Sequence, residues 1–259
     1  MQYHKPIVDN FSILGGEPIS FGTFEIYQPT LDTIRKIGYQ RYSQITNLLT
    51  ISESDLLVFF DKEKITNFSS NPLEYLYEKS LQEPQFFFSL REGFLLYLKK
   101  DLFLDKNKKV FKIIVKQEVN GELFDSALII DKELFYQIQE IIRKINFIES
   151  EQEDEIISDN EEMKKKFEAS RKKLKLAKAK AKRKDRDNSK KIDFYLFVSA
   201  LCVFSPSYNL FNVWDLTIYQ FYIQFKMNQF KEDYESNVKI ALSGMSKKKI
   251  DLQYWIKQI

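Results

Sequence analysis

One stretch near the middle of the chain is unfit to build a core, and it sets the organisation of everything around it. From Ile148 to Lys191 the only aromatic residue is Phe167. Glu149 to Glu162 holds eight carboxylates and no Lys or Arg, and Lys164 to Lys191 holds fifteen basic residues against three acidic ones. Blocks of like charge repel themselves and stay solvated. The alternation Leu176-Ala-Lys-Ala-Lys-Ala-Lys182 favours helix but supplies no apolar stripe. The expected organisation is therefore an amino-terminal α+β domain over 1–147, a charged tether, helical or disordered, over 148–191, and a helical carboxy-terminal domain over 192–259. The tether also accounts for the net charge. Residues 149–191 contribute 15 − 11 = +4 and the remainder 25 − 26 = −1, which together make the +3 of the whole chain. The flanking parts are nearly neutral, in a chain with 15% aromatic residues, so apolar contacts outweigh a basic groove as the expected mode of action.

Composition excludes much chemistry. The 259 residues include one His (His4) and one Cys (Cys202). A disulfide within one chain needs two cysteines, a Cys/His zinc site needs four such ligands, and a Ser–His–Asp or Cys–His nucleophile needs a His within reach. Cys202 lies in an apolar run and reads as a small buried hydrophobe. No phosphate loop is present. Asp61-Lys-Glu-Lys64 has the look of a nuclease fragment, but in so charged a chain it reads as a solvated loop. The acidic run lacks the Gly turn and alternating oxygen ligands of a calcium loop. The expectation is no enzyme, no metal and no cofactor.

Local signals lay out a mainly α (α+β) protein with one or two small β-hairpins. Gly15-Gly16 between apolar runs reads as a two-residue hairpin turn, with extended chain through Tyr27. Thr30 caps a helix that ends at Gly38, and Tyr39–Leu49 follows as a second. Asn71-Pro72 starts a helix with Leu73, Leu76, Tyr77 and Leu81 inward. A further helix runs from Pro84 to Lys99. Val110–Lys116 and Leu123–Ile130 flank Asn120-Gly121, the strongest short hairpin signal. Asp131 caps an amphipathic helix with Leu134, Ile138, Ile141, Ile142 and Ile145 inward. Beyond the tether, Phe194–Phe204 reads as a buried helix ended by Ser205-Pro206, Asp215 as the cap of a helix over Leu216–Asn228, and Glu232–Leu242 as a separate helix that stops at Gly244. The nearly continuous apolar run 194–204, eleven residues interrupted by Ser199, falls short of the ~20 that span a bilayer. With no signal-peptide pattern at Met1–Asp9, no membrane association and a cytoplasmic location are expected.

Two surfaces are candidates for binding. Trp214, Tyr219, Phe221, Tyr222 and Phe225, with Trp255 near the end, form an aromatic set suited either to a core or to a partner's surface. Lys172, Lys173, Lys175, Lys182 and Arg183 would contact phosphates if the basic block bound nucleic acid, although no aromatic residues are interleaved for base stacking.

Two strings carry a resemblance. Ile13-Leu-Gly-Gly-Glu-Pro-Ile-Ser-Phe-Gly22 is followed by Ile26-Tyr-Gln-Pro-Thr-Leu-Asp-Thr-Ile-Arg-Lys-Ile-Gly38. Asn212-Val-Trp-Asp-Leu-Thr-Ile-Tyr-Gln-Phe-Tyr222 is followed by Ala241-Leu-Ser-Gly-Met-Ser-Lys-Lys-Lys-Ile250 and Trp255. Both resemble proteins from the tail-gene clusters of phages of low-GC Gram-positive bacteria, tail assembly chaperones above all. The strings agree at Gly15, Gly16, Pro29, Trp214, Tyr219, Phe221 and Trp255. The resemblance implies a helical, non-enzymatic protein of the host cell cytoplasm. It also implies binding to the tape measure protein, and to the tail tube protein, while the tail polymerises. A nucleic-acid-binding accessory protein and a structural virion protein are the alternatives.

Overall fold

A computed structural model describes residues 10–56, 71–119, 122–148 and 193–243, with the side chains of 117–123 outside the description. The expectations placed on His4, on 61–64, on the tether, on Gly244 and on Trp255 lie outside the described residues. The fold is mainly α with two small antiparallel sheets.

The first turn differs from the sequence expectation. Residues Asn10–Gly15 form a short helix (α1), and Gly16, at φ +81°, ends it rather than turning a hairpin. Ile13 is fully buried, and the Gln28 amide donates to the Ile13 and Glu17 carbonyls at 2.9 and 3.2 Å, holding the helix end closed. The hairpin follows it. β1 (Ile19–Phe21) pairs with β2 (Phe24–Ile26) in the register Ile19↔Ile26 and Phe21↔Phe24. Gly22, at φ +57°, takes the first turn position, where a side chain would be strained. Strict alternation sends Ile19, Phe21, Phe24 and Ile26 inward.

Helices α2 (Leu31–Ile37) and α3 (Tyr39–Leu49) begin and end where their caps dictate. Thr30 Oγ1 accepts from the Thr33 N–H at 3.2 Å, and Gly38 sits between the two helices at φ +83°. α4 (Pro72–Gln82) starts at Asn71, whose side chain accepts from the Leu73 N–H. Its inward face is Pro72, Tyr75, Leu76, Tyr77 and Ser80. Leu81, expected inside, is exposed. α5 (Pro84–Leu98) ends at Lys99 in the left-handed region. It crosses α3 at Gly93, where an added Cβ would stand 2.9 Å from Leu49 Cδ1 and 3.0 Å from Ile45 Cγ2.

A three-stranded sheet follows: β3 (Leu102–Asp105), β4 (Val110–Val119) and β5 (Glu122–Ile130), antiparallel in that order. The β4–β5 hairpin pairs through to Val119↔Glu122, as the Asn120-Gly121 signal predicts. β3 escapes sequence reading because four residues are too few to display a period. α6 (Lys132–Ile145) is capped by Asp131, which accepts from the Leu134 N–H at 2.8 Å. All five of its expected apolar residues are buried.

At the centre, a polar cluster joins three helices. The Tyr42 hydroxyl donates to Asn146 Oδ1, Asn146 Nδ2 donates to the Tyr97 hydroxyl at 3.1 Å, and the Tyr97 hydroxyl donates to that of Tyr42 at 3.2 Å. Thr46 Oγ1 lies 2.8 Å from the Tyr97 oxygen. Burial pushes the Tyr42 hydroxyl well above its usual pKa and raises that of Tyr97. A closed ring of this kind satisfies buried groups that would otherwise be costly.

The carboxy-terminal elements are α7 (Phe194–Phe204), a 3₁₀ turn at Val213–Asp215 and α8 (Ile218–Leu242). Asp215 lies in the turn and does not cap α8. Thr217 does: its Oγ1 accepts from the Gln220 N–H, and Gln220 Oε1 accepts from the Thr217 N–H. Nothing in Gln229-Phe-Lys231 breaks a helix, so the two helices expected here are one of 25 residues.

These elements share a single hydrophobic cluster with residues 13–145. The Ile218 N–H donates to the Pro29 carbonyl at 2.9 Å, and the Leu31 N–H to the Leu216 carbonyl at 2.8 Å. Thr217 Oγ1 donates to Gln28 Oε1 at 3.1 Å, and Gln220 Nε2 to the Leu14 carbonyl at 2.8 Å. The two segments that flank the tether in sequence therefore meet in space through backbone pairing as well as packing.

Candidate partner-binding surface

The aromatic set on α8 meets the rest of the fold. Phe221 is 1% exposed and Tyr219 is buried. Tyr219 stacks on Phe147 at 5.0 Å, and Phe221 packs edge-on against Phe194 at 5.3 Å. Phe225 meets Phe197 at 5.2 Å. Phe194 in turn stacks on Tyr39 of α3 with centroids 4.1 Å apart and planes 2° from parallel. Burial raises the Tyr222 hydroxyl, and the neighbouring Tyr39 hydroxyl raises it further. Trp214 is half-buried, with the Arg35 guanidinium 4.6 Å above its ring and its indole N–H donating to the Leu210 carbonyl at 2.7 Å.

Five of the six aromatic residues proposed from sequence thus fall among the described residues. Tyr219 and Phe221 are packing residues, and Trp214, Tyr222 and Phe225 are half-covered. This covering has a simple cause. Rings spaced along the first turns of α8 fill the gap that α7 and the start of α3 leave open, and once filled they present little to solvent. Lys172, Lys173, Lys175, Lys182 and Arg183 lie outside the described residues.

The open apolar surface is next door. Phe194–Phe204 was expected to be a buried helix, but only Phe194, Val198 and Leu201 are inside. Leu196 is 62% exposed and Val203 79%, with Tyr195 and Phe204 also in solvent. The following loop adds Leu210 and Phe211, the latter 93% exposed. This loop is held by its own side chains. Asn209 Oδ1 accepts from the Phe211 and Asn212 N–H groups at 2.8 and 3.3 Å, and Asn212 Oδ1 accepts from the Asn209 N–H at 2.8 Å. Asn212 Nδ2 donates to the Ser207 carbonyl at 3.1 Å. Phe211 is thus presented to water by a fixed turn, at a cost of ~1.5–3 kcal/mol relative to burying such a ring. The sequence signal for this surface was available: no charged residue occurs between Asp193 and Asp215. A helix apolar on every side has more apolar surface than one packing face covers.

Cys202 is half-buried, and burial raises its thiol pKa, which disfavours the nucleophilic thiolate. Among the described residues no three His, Cys, Asp or Glu side chains cluster for a metal ion. Among them, too, no helix is long and apolar enough to cross a membrane.

The elements define a mainly helical protein with small sheets and an apolar outer surface. Residues 182–259 match the family model described as YomV second domain, a Bacillus phage-type protein family, and this likeness suggests a phage protein. The match starts inside the basic block and takes in α7, the 3₁₀ turn and α8. No curated protein and no solved structure matches the chain.

Proposed function

We propose that this protein is a non-enzymatic phage protein that holds an apolar segment of another chain during assembly. In the particular form the resemblance implies, it is a tail assembly chaperone for the tape measure protein in the host cytoplasm, displaced as the tail tube protein takes over those contacts. The observation that carries the reading is the exposure of Leu196, Val203 and Phe204 on α7 and of Leu210 and Phe211 in the following loop, where a turn that is hydrogen-bonded internally holds Phe211 in water. Exposed apolar patches on a folded protein mark places where another chain binds. The likeness of residues 182–259 to a phage-type family agrees with that setting. A tape measure helix shows apolar stripes until tube subunits cover it. A reversible apolar surface would shield those stripes by mass action and release them to a tighter binder.

Co-expression of the full chain with the tape measure protein of the same phage tests this. The expected result is a soluble tape measure protein that co-elutes with the chain, and loss of both effects with Phe204→Ser plus Phe211→Ser. A tape measure protein that stays insoluble and never co-elutes would overturn the reading. A chaperone is also expected to be missing from purified particles, which mass spectrometry would check.

A further inference from the structure

The three-stranded sheet has two edges, and they are treated differently. β3 is four residues long, and its end is tied down by Asp105, which accepts from the Asn107 and Lys108 N–H groups and pairs with Lys112. A short, pinned edge is a poor template for another strand. β5 is nine residues long, paired to β4 without a bulge from Phe111↔Ile130 to Val119↔Glu122. It has no Pro, no Lys and no Arg. Among the described residues no backbone bond reaches its outer side. Phe124, Asp125, Ala127 and Ile129 are all exposed. Its one interior charge, Asp125, stands opposite Lys116 of β4 in the register. Among the described residues β5 has no bulge, no Pro, no basic side chain and no covering element to protect its edge.

We propose that β5 pairs with β5 of a second copy, antiparallel about a two-fold axis at Ser126, to make one continuous six-stranded sheet. The strand is its own complement in this register. Phe124 faces Leu128 of the other copy, Asp125 faces Ala127, and Ser126 faces itself, so no like charges are directly opposed. The pairing joins residues of equal parity, so the buried faces of the two sheets fall on the same side. A closed two-fold contact also uses up the edge and stops further addition. The surface is separate from that of α7 and Phe211, so the fate of either proposal leaves the other standing.

The full chain is expected to sediment as a dimer. Ala127→Glu puts a carboxylate opposite Asp125 twice per dimer and should raise the dimer dissociation constant roughly tenfold. Ala127→Lys, at the same exposed position, should leave it unchanged or tighter. Ser126→Cys should give a covalent dimer on mild oxidation, because the two sulfurs would meet at the axis, whereas Ser89→Cys should not. A chain that stays monomeric at high concentration would overturn the proposal. So would equal responses to Glu and Lys at 127, or failure of Ser126→Cys to cross-link.

Discussion

The first turns of α8 and the outer side of α7 have similar apolar content and opposite fates. On α8, Ile218, Tyr219 and Phe221 are inside, and Tyr222 and Phe225 are half-covered. On α7, Leu196, Val203 and Phe204 face water. Neighbours make the difference, since residue type does not. α8 enters the fold through backbone pairing at Pro29 and Leu216, which fixes its first turn beside the start of α2. α7 leans on that assembly with one face, through Phe194, Val198 and Leu201, and no described element covers the other. A helix that packs on one side keeps only a third or so of its residues inside, so an uncharged helix in that position must show apolar side chains.

The largest effect is expected from breaking the inner side. Phe221→Ala removes a ring that touches Phe194, Tyr222 and Phe225 and should cost roughly 3–5 kcal/mol in chemical denaturation. Asn146→Ala comes next. It leaves the Tyr42 and Tyr97 hydroxyls short of a partner, and about 1–3 kcal/mol should be lost.

The tyrosines add a pH dependence. The hydroxyls of Tyr42, Tyr97 and Tyr222 have folded pKa values above the ordinary 10.0, mainly through burial. Unfolding releases their protons more easily, so the stability they contribute is fully present below pH 10 and lost as pH rises beyond it. Circular dichroism against tyrosinate absorbance should therefore show alkaline unfolding and ionisation in one cooperative step. Independent ionisation of these groups before unfolding would contradict their burial.

Thr217→Ala tests how α8 is placed. Loss of the cap, and of its hydrogen bond to Gln28, should cost about 1 kcal/mol. Smallest in stability, and sharpest for the comparison, is Phe211→Ser. A ring 93% exposed has little to lose on truncation, so stability should change by no more than ~0.5 kcal/mol while capture of the tape measure protein weakens. A large loss of stability would mean that Phe211 is a packing residue after all.

Much of the fold was legible because the signals are local. Thr30, Asn71 and Asp131 each accept a hydrogen bond from a residue two or three positions on, and Gly38 needs only its own φ. Such interactions are complete within one turn of chain. The errors fall where a distant group intervened. Gly15-Gly16 ends a short helix because Gln28 closes the chain there, bonding carbonyls 15 and 11 positions back. Asp215 lost the capping role to Thr217, whose hydroxyl also bonds Gln28 across 189 positions. The same holds for the aromatic set: aromatic spacing reveals that a face is apolar, and which apolar face receives a neighbour depends on what arrives.

The sequence by itself determined the helix starts at Thr30, Asn71 and Asp131, the Asn120-Gly121 hairpin, the five inward residues of α6, the scarcity of His and Cys, and the charged stretch that separates two nearly neutral parts. The tertiary structure decided that those two parts share a core, that Tyr219 and Phe221 lie in it, that β3 pairs on one edge of the sheet, and that Phe211 and the edge of β5 face outward. Caps and turns draw their energy from atoms a few bonds apart. Burial draws it from surfaces brought together across the whole chain, and no short window of residues contains both partners.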